Sequence, residues 1–180
     1  GFIEETGAAQ YLRDARITSI YEGTNGIQAN DLVGRKVGRE KAETVLSLCS
    51  EMFTLVEDLL NHKEAQMKVI HAPLKHAIEA LDSASNWIAS TWGENPTAVA
   101  AGAVPYLRLL GLTAGGWLLA RSALIASTKL ELSEGHPAFM EAKIISACFF
   151  ATHLLVQCPS LGTTVRDGST AVLAAKANGF

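Results

Sequence analysis

Apolar residues recur at helical spacing along most of the chain, and that period sets the first expectations. Between residues 39 and 60, Ala42, Val45, Cys49, Met52, Val56 and Leu59 step by threes and fours, the stripe of an amphipathic helix. Leu74, Ile78, Leu81, Ser85, Ile88 and Trp92 repeat the pattern, with Pro73 suited to a first helical turn and Gly93 to a stop. The stretch 61–72 shows no readable period. A long helix is expected over 97–129, with Val99, Ala103, Tyr106, Leu110, Thr113, Trp117, Ala120 and Leu124 on one face. Pro105 should bend it, and Gly111 and Gly115 read as a packing notch. After a turn at 133–137, a helix over 138–156 should bury Ala142, Ile145, Phe149, Thr152 and Val156 and stop before Pro159. Residues 161–180, with Gly162, Gly168 and Gly179, read as mostly irregular. Two shorter helices come first. One spans 6–16, with Tyr11, Leu12 and Ala15 as its apolar side and Glu4 and Glu5 at its positive end; the other spans 27–37, with Thr24 or Asn25 as cap. No alternating run is long enough for a sheet. The expected fold is therefore all-α, a helical bundle of long antiparallel helices with a short N-terminal helical pair.

Composition narrows the function classes. With 48% apolar and 18% charged residues in 180, the chain can bury a core without disulfides or metal. A net charge of −3 offers no basic footprint for nucleic acid. Cys49, Cys148 and Cys158 are odd in number and far apart, with no CxxC, so a reducing, cytoplasmic setting is expected. His62, His71, His76, His136 and His153 are scattered and form no metal motif. His153 reads as an interior or partner-facing residue, and Trp87, Trp92 and Trp117 as core. Arg108 and Arg121 interrupt the most apolar stretch, leaving about half of the ~20 residues a membrane span needs, so no span is expected. Glu4 and Glu5 stand where a signal peptide would be basic, and a chain opening on Gly1 reads as a fragment or processed product.

The chemistry concentrates in one turn, Ile20-Tyr21-Glu22-Gly23-Thr24-Asn25-Gly26. A carboxylate beside apolar residues loses hydration, which raises its pKa and suits Glu22 to general-base work near neutrality. Gly23 permits close approach of a ligand. Thr24, Asn25 and Gly26 bring small polar groups and unpaired N–H donors to a helix start, a place for an anionic cofactor. On its own the turn also reads as an ordinary capped helix start.

Arg13-Asp14-Ala15-Arg16-Ile17 followed by this turn and Ile27-Gln28 closely resembles the C-terminal part of the flavin-dependent acyl-CoA dehydrogenases. Gly1-Phe2, Glu5 and Asp14 resemble the tail of that family's glycine-rich signature, although Gln10 stands where the signature has Lys or Arg. This likeness covers the first forty or so residues; the helices after it resemble the extra C-terminal region of the larger members. The resemblance implies two parts, residues 1–38 as the end of the catalytic bundle and 39–180 as an extra helical domain. It implies Glu22 as the base that removes the α-proton of an acyl-CoA thioester, with hydride passing from the β-carbon to FAD to give a trans-2-enoyl-CoA. The glutamate's backbone N–H and a flavin ribityl hydroxyl would hold the thioester oxygen, about 3–4 kcal/mol per donor. Gly23 matches a substrate contact, and Thr24, Asn25 and Gly26 match flavin contacts. Electron-transfer flavoprotein is the implied redox partner, and a homo-oligomer, as a homodimer, the implied assembly. The chain alone is expected to be inactive and to bind FAD poorly. Two other readings stand beside this one: an acyl-CoA oxidase relative, and a helical assembly module with no chemistry of its own.

Overall fold

The computed structural model describes residues 4–20 and 24–175. Every regular element among them is helical. A 3₁₀ turn at Glu4–Thr6 leads into α1 (Ala8–Ile20); α2 (Asn25–Asp31) runs on into a π-helical segment, Leu32–Gly38. Then come α3 (Glu43–Asn61), α4 (Ala65–Thr91), α5 (Pro96–Ala101), α6 (Ala103–Glu131), α7 (Pro137–His153), a 3₁₀ turn (Leu155–Gln157), α8 (Cys158–Asp167) and α9 (Ser169–Ala174). α4 and α6 are the hub: α4 packs on α3, α6, α7 and α8, and α6 on α2, α3, α4, α7 and α8. Short connections make α3 and α4, and α6 and α7, antiparallel neighbours.

The α3 stripe falls inside as its spacing predicts, with Val45, Cys49, Met52, Val56 and Leu59 all buried. Other expectations need correction. Pro73 does not open α4 but sits within it, because Met67 and Ile70 extend the buried stripe upstream. Proline's missing N–H leaves only the Val69 carbonyl without its bond, on a face where Val69 is itself exposed. The long helix expected over 97–129 is two helices, broken at Gly102. Pro105 cannot donate to the carbonyl four residues back, at Ala101, so the break lies there rather than as a bend downstream. The packing notch is not Gly111 and Gly115 but Gly116, where an added Cβ would lie 2.6 Å from Leu155. The described part of the stretch expected to be irregular, 161–175, is mostly helical: α8 buries Gly162 and Val165, and Pro159 lies in the first turn of that helix rather than closing the one before.

The sidedness of α7 is also reversed. Ile144, Ala147 and Ala151 face the core, while Ile145 is 68% and Phe149 56% exposed. A helix apolar on all sides gives no contrast from which to read its inner face. His153 is exposed, stacked on Phe149 with ring centroids 4.3 Å apart. Trp87, Trp92 and Trp117 pack on the core but are only partly buried. By length and composition α6 and the Pro137–Asp167 run would each suffice to cross a membrane, which the charge spacing did not lead one to expect. One side of each packs against the other and against α4, and about a third of each apolar stretch is buried.

Candidate functional site

The candidate turn lies between α1 and α2. Tyr21, Glu22 and Gly23 fall outside the described residues, so the expected base and substrate contact have no geometry to report. Thr24 occupies the N-cap of α2 at φ −105°, ψ −5°, a helical conformation rather than the extended one that lets a side chain cap. Thr24 thus holds the cap position expected of it, but its hydroxyl makes no capping bond. Gln28 N–H donates to the Thr24 carbonyl at 2.8 Å. The amides before it have no intrahelical acceptor by position. Asn25 and Gly26 are exposed, and a Cβ built on Gly26 meets nothing within 4 Å. Packing among the described residues therefore does not call for glycine there. Ile17, Thr18, Thr24, Asn25 and Gln28 line an open hollow of about 250 Å³.

This arrangement fits one polar edge of a large cofactor: small hydroxyl and amide groups, N–H donors at a helix start, and room beyond Gly26. FAD is far larger than the hollow, so these residues could hold only part of it. The surroundings are apolar and uncovered. Tyr11 is 80% and Leu12 70% exposed, and Ile17, Ile20 and Ile27 are exposed as well. Tyr11 and Leu12, expected on the apolar side of the first helix, are thus left open among the described residues. Gln10 keeps a contact with Asp14, its amide donating to the carboxylate at 2.8 Å, so a neutral donor stands where the family signature has a cation. Arg13 bridges to Glu4 at 3.0 Å.

Sequence reasoning missed a buried polar group within the bundle. Ser85 Oγ donates to the Leu81 carbonyl at 2.7 Å and lies 2.7 Å from the Tyr106 hydroxyl. The signal was available: a serine in the α4 stripe and a tyrosine in the α6 stripe each need a partner when buried. Burial pushes Tyr106 up to about 12. It does the same to the Cys49 thiol, aided by the Asp82 carboxylate. Burial also raises Cys158, so the core thiols stay protonated and unreactive. A hollow of about 770 Å³ lies elsewhere, between the start of α4 and α7, and shares no lining residue with the turn.

Fold and turn together define a class first: an all-helical unit with a polar helix start beside an uncovered apolar face. Residues 48–176 match the family described as acetyl-CoA dehydrogenase C-terminal like, and the chain belongs to that family. It is 43% identical over 176 residues to 3-methylmercaptopropionyl-CoA dehydrogenase of Ruegeria pomeroyi, covering 97% of this chain and 29% of that protein. Identity is 30% over 163 residues to the broad-specificity linear acyl-CoA dehydrogenase FadE5 of Mycobacterium tuberculosis, covering 86% of this chain and 26% of that one. A butyryl-CoA dehydrogenase of Syntrophomonas wolfei is 32% identical over 162 residues, covering 86% of this chain and 25% of the relative. The chain thus spans between a quarter and three-tenths of the length of these relatives.

Proposed function

We propose that this chain is the C-terminal part of an FAD-dependent acyl-CoA dehydrogenase, with Glu22 as the base that takes the α-proton of the acyl thioester. The observation that carries the reading is the 43% identity to an acyl-CoA dehydrogenase across 97% of the chain, the turn included. Bound flavin would supply the acceptor for the β-hydride. Glu22 would hold the abstracted proton, and apolar neighbours such as Ile20 would limit its hydration and so strengthen it as a base. Gly23 would admit the substrate, and Thr24, Asn25 and Gly26 would meet the cofactor with small polar groups. Electrons would pass on to an electron-transfer flavoprotein, and the working assembly would be a homo-oligomer. We place the boundary between catalytic bundle and extra helical domain near residue 38, where the π-helical segment ends.

The test is Glu22→Gln in the complete enzyme. Acyl-CoA-dependent reduction of an artificial acceptor should fall by about 10²–10⁴-fold while flavin stays bound. Turnover within a few-fold of wild type would remove Glu22 from the mechanism. The chain expressed alone should purify without flavin; a yellow preparation would contradict the proposal that it holds only part of the site.

A second reading concerns residues after about 38. The exposed Ile145 and Phe149 on α7 favour a role in assembly rather than chemistry for that region.

A further inference from the structure

The polar helix start at Thr24 opens α2, whose course depends on what it packs against: α6 directly, and α4 through the segment that follows it. Seven residues are too few for a stable helix in isolation. α2 continues directly into the π-helical segment Leu32–Gly38, with wide-turn bonds from Arg39 N–H to the Gly34 carbonyl at 3.1 Å and from Ala42 N–H to the Val37 carbonyl at 2.8 Å. The wider turn keeps residues four apart on one side. Two rows result. Ala29, Val33 and Val37 are fully or almost fully buried, and Gly34 and Gly38 form a flat strip beside them.

One side chain fills that strip. A Cβ on Gly34 would lie 2.8 Å from Trp92 Cη2, and one on Gly38 would lie 2.6 Å from Trp92 Cγ. The indole therefore rests flat across both glycines, closer than any side chain there would allow. The backbone of Trp92 belongs to the end of α4: it is the C-cap, its main-chain N–H donating to the Ile88 carbonyl at 2.9 Å. α4 is the hub of the C-terminal bundle, so the contact ties that bundle to the segment that ends the polar turn's helix.

We propose that Trp92 is a positioning residue: through Gly34 and Gly38 it sets the rotational register of residues 25–38, and so the direction in which Thr24, Asn25 and Gly26 face. Its significance for cofactor binding rests on the reading given under Proposed function; the positioning itself does not. The extra helical domain then has a task in the reaction although it holds none of the expected site residues.

Amide hydrogen exchange, read by mass spectrometry on this chain, tests it. Trp92→Leu should raise exchange across residues 25–38 by at least about tenfold, with α7 amides within about twofold of wild type. Trp92→Phe, which keeps a flat ring, should restore most of the protection. Gly34→Ala, which puts a methyl where the ring lies, should loosen the same segment. Unchanged exchange in 25–38, or an equal rise in every helix, overturns the proposal. Should Trp92→Leu fail to fold, Gly34→Ala and Trp92→Phe decide the matter on the same terms. In the complete flavoenzyme, Trp92→Leu should weaken flavin retention and lower kcat on the order of tenfold with KM within about twofold. If Glu22→Gln keeps its turnover while Trp92→Leu loosens 25–38, the catalytic reading fails and the positioning stands. If Glu22→Gln loses its turnover and 25–38 stays protected in Trp92→Leu, the positioning alone fails.

Discussion

Ser85 spends its proton on the Leu81 carbonyl, so the Tyr106 hydroxyl must be the donor in the bond between them. The two side chains are fully buried, and their roles are unequal. Ser85→Ala strands the tyrosine hydroxyl and should cost about 1–3 kcal/mol; Tyr106→Phe leaves serine bonded to its own helix and should cost no more than about 1 kcal/mol. Urea denaturation of both variants checks the order, and equal losses would contradict it. The same pocket sets an alkaline limit. Cys49 and Tyr106 have folded pKa values pushed up to about 12, from ordinary values of 9.0 and 10.0. Well below pH 9 both groups are protonated folded or unfolded and contribute no pH dependence. Above it the unfolded chain releases protons that the folded chain holds, so stability should fall as pH rises from about 9 to about 12. Thermal melts across that range should show the decline, and Cys49→Ala should flatten its first part; a melting temperature level to pH 11 would contradict it. At this scale the sequence supplies the residue types but not the pairing. Ser85 and Tyr106 both fall in apolar stripes, and only the approach of α4 to α6 makes them one polar unit.

Two glycines five residues apart on α6 show why element-scale reading succeeds in one place and fails in another. Spacing makes Gly111 a reasonable notch, yet it is exposed and a Cβ there meets nothing within 4 Å. Gly116 is the notch, with the Cγ and both Cδ atoms of Leu155 within 2.9 Å of an added Cβ, and Leu155 is buried. The same substitution should therefore have opposite signs. Gly111→Ala removes glycine's helical penalty and should stabilise by up to about 1 kcal/mol. Gly116→Ala overpacks the α6 contact and should destabilise by about 1–3 kcal/mol. Calorimetry of the pair gives both signs at once; two stabilised variants would mean that Leu155 yields. Spacing alone cannot separate the glycines because α6 is apolar around its circumference. It puts the α7 stripe on the wrong side for the same reason, whereas α3, with charged residues opposite its buried row, reads correctly. The polar turn is singled out in the sequence by its resemblance to a catalytic motif, and its Tyr21, Glu22 and Gly23 lie outside the described residues. The register of the helix behind it is not legible, because Trp92 lies more than fifty residues from Gly34 and Gly38 and nothing local pairs them.

At the scale of the whole molecule, the chain divides by what covers its apolar surface. From α2 onward the helices bury a shared core, although α6 and α7 keep Leu118, Ile125, Ile145 and Phe149 exposed. Among the described residues α1 makes its substantial contacts only with the 3₁₀ turn before it, and Tyr11, Leu12, Ile17 and Ile20 lie open. Fully burying such side chains is worth about 1.5–3 kcal/mol each, so α1 forgoes several kcal/mol that another surface could supply. A 13-residue helix without that surface is marginal in water. Pattern shows which side of α1 is apolar but cannot say what would cover it, and relatives more than three times as long offer a source for the cover. Trypsin should therefore cut the chain first at Arg13 or Arg16, in α1, and much later at Arg108 or Arg121, whose backbone α6 holds in the bundle. In the complete enzyme the early cuts should slow by well over tenfold, as α1 gains its packing. Mass spectrometry of a digestion time course separates the outcomes. Early cleavage in α6 would mean that the bundle does not stand by itself, and equal rates at Arg13 in both proteins would mean that the open face of α1 stays open.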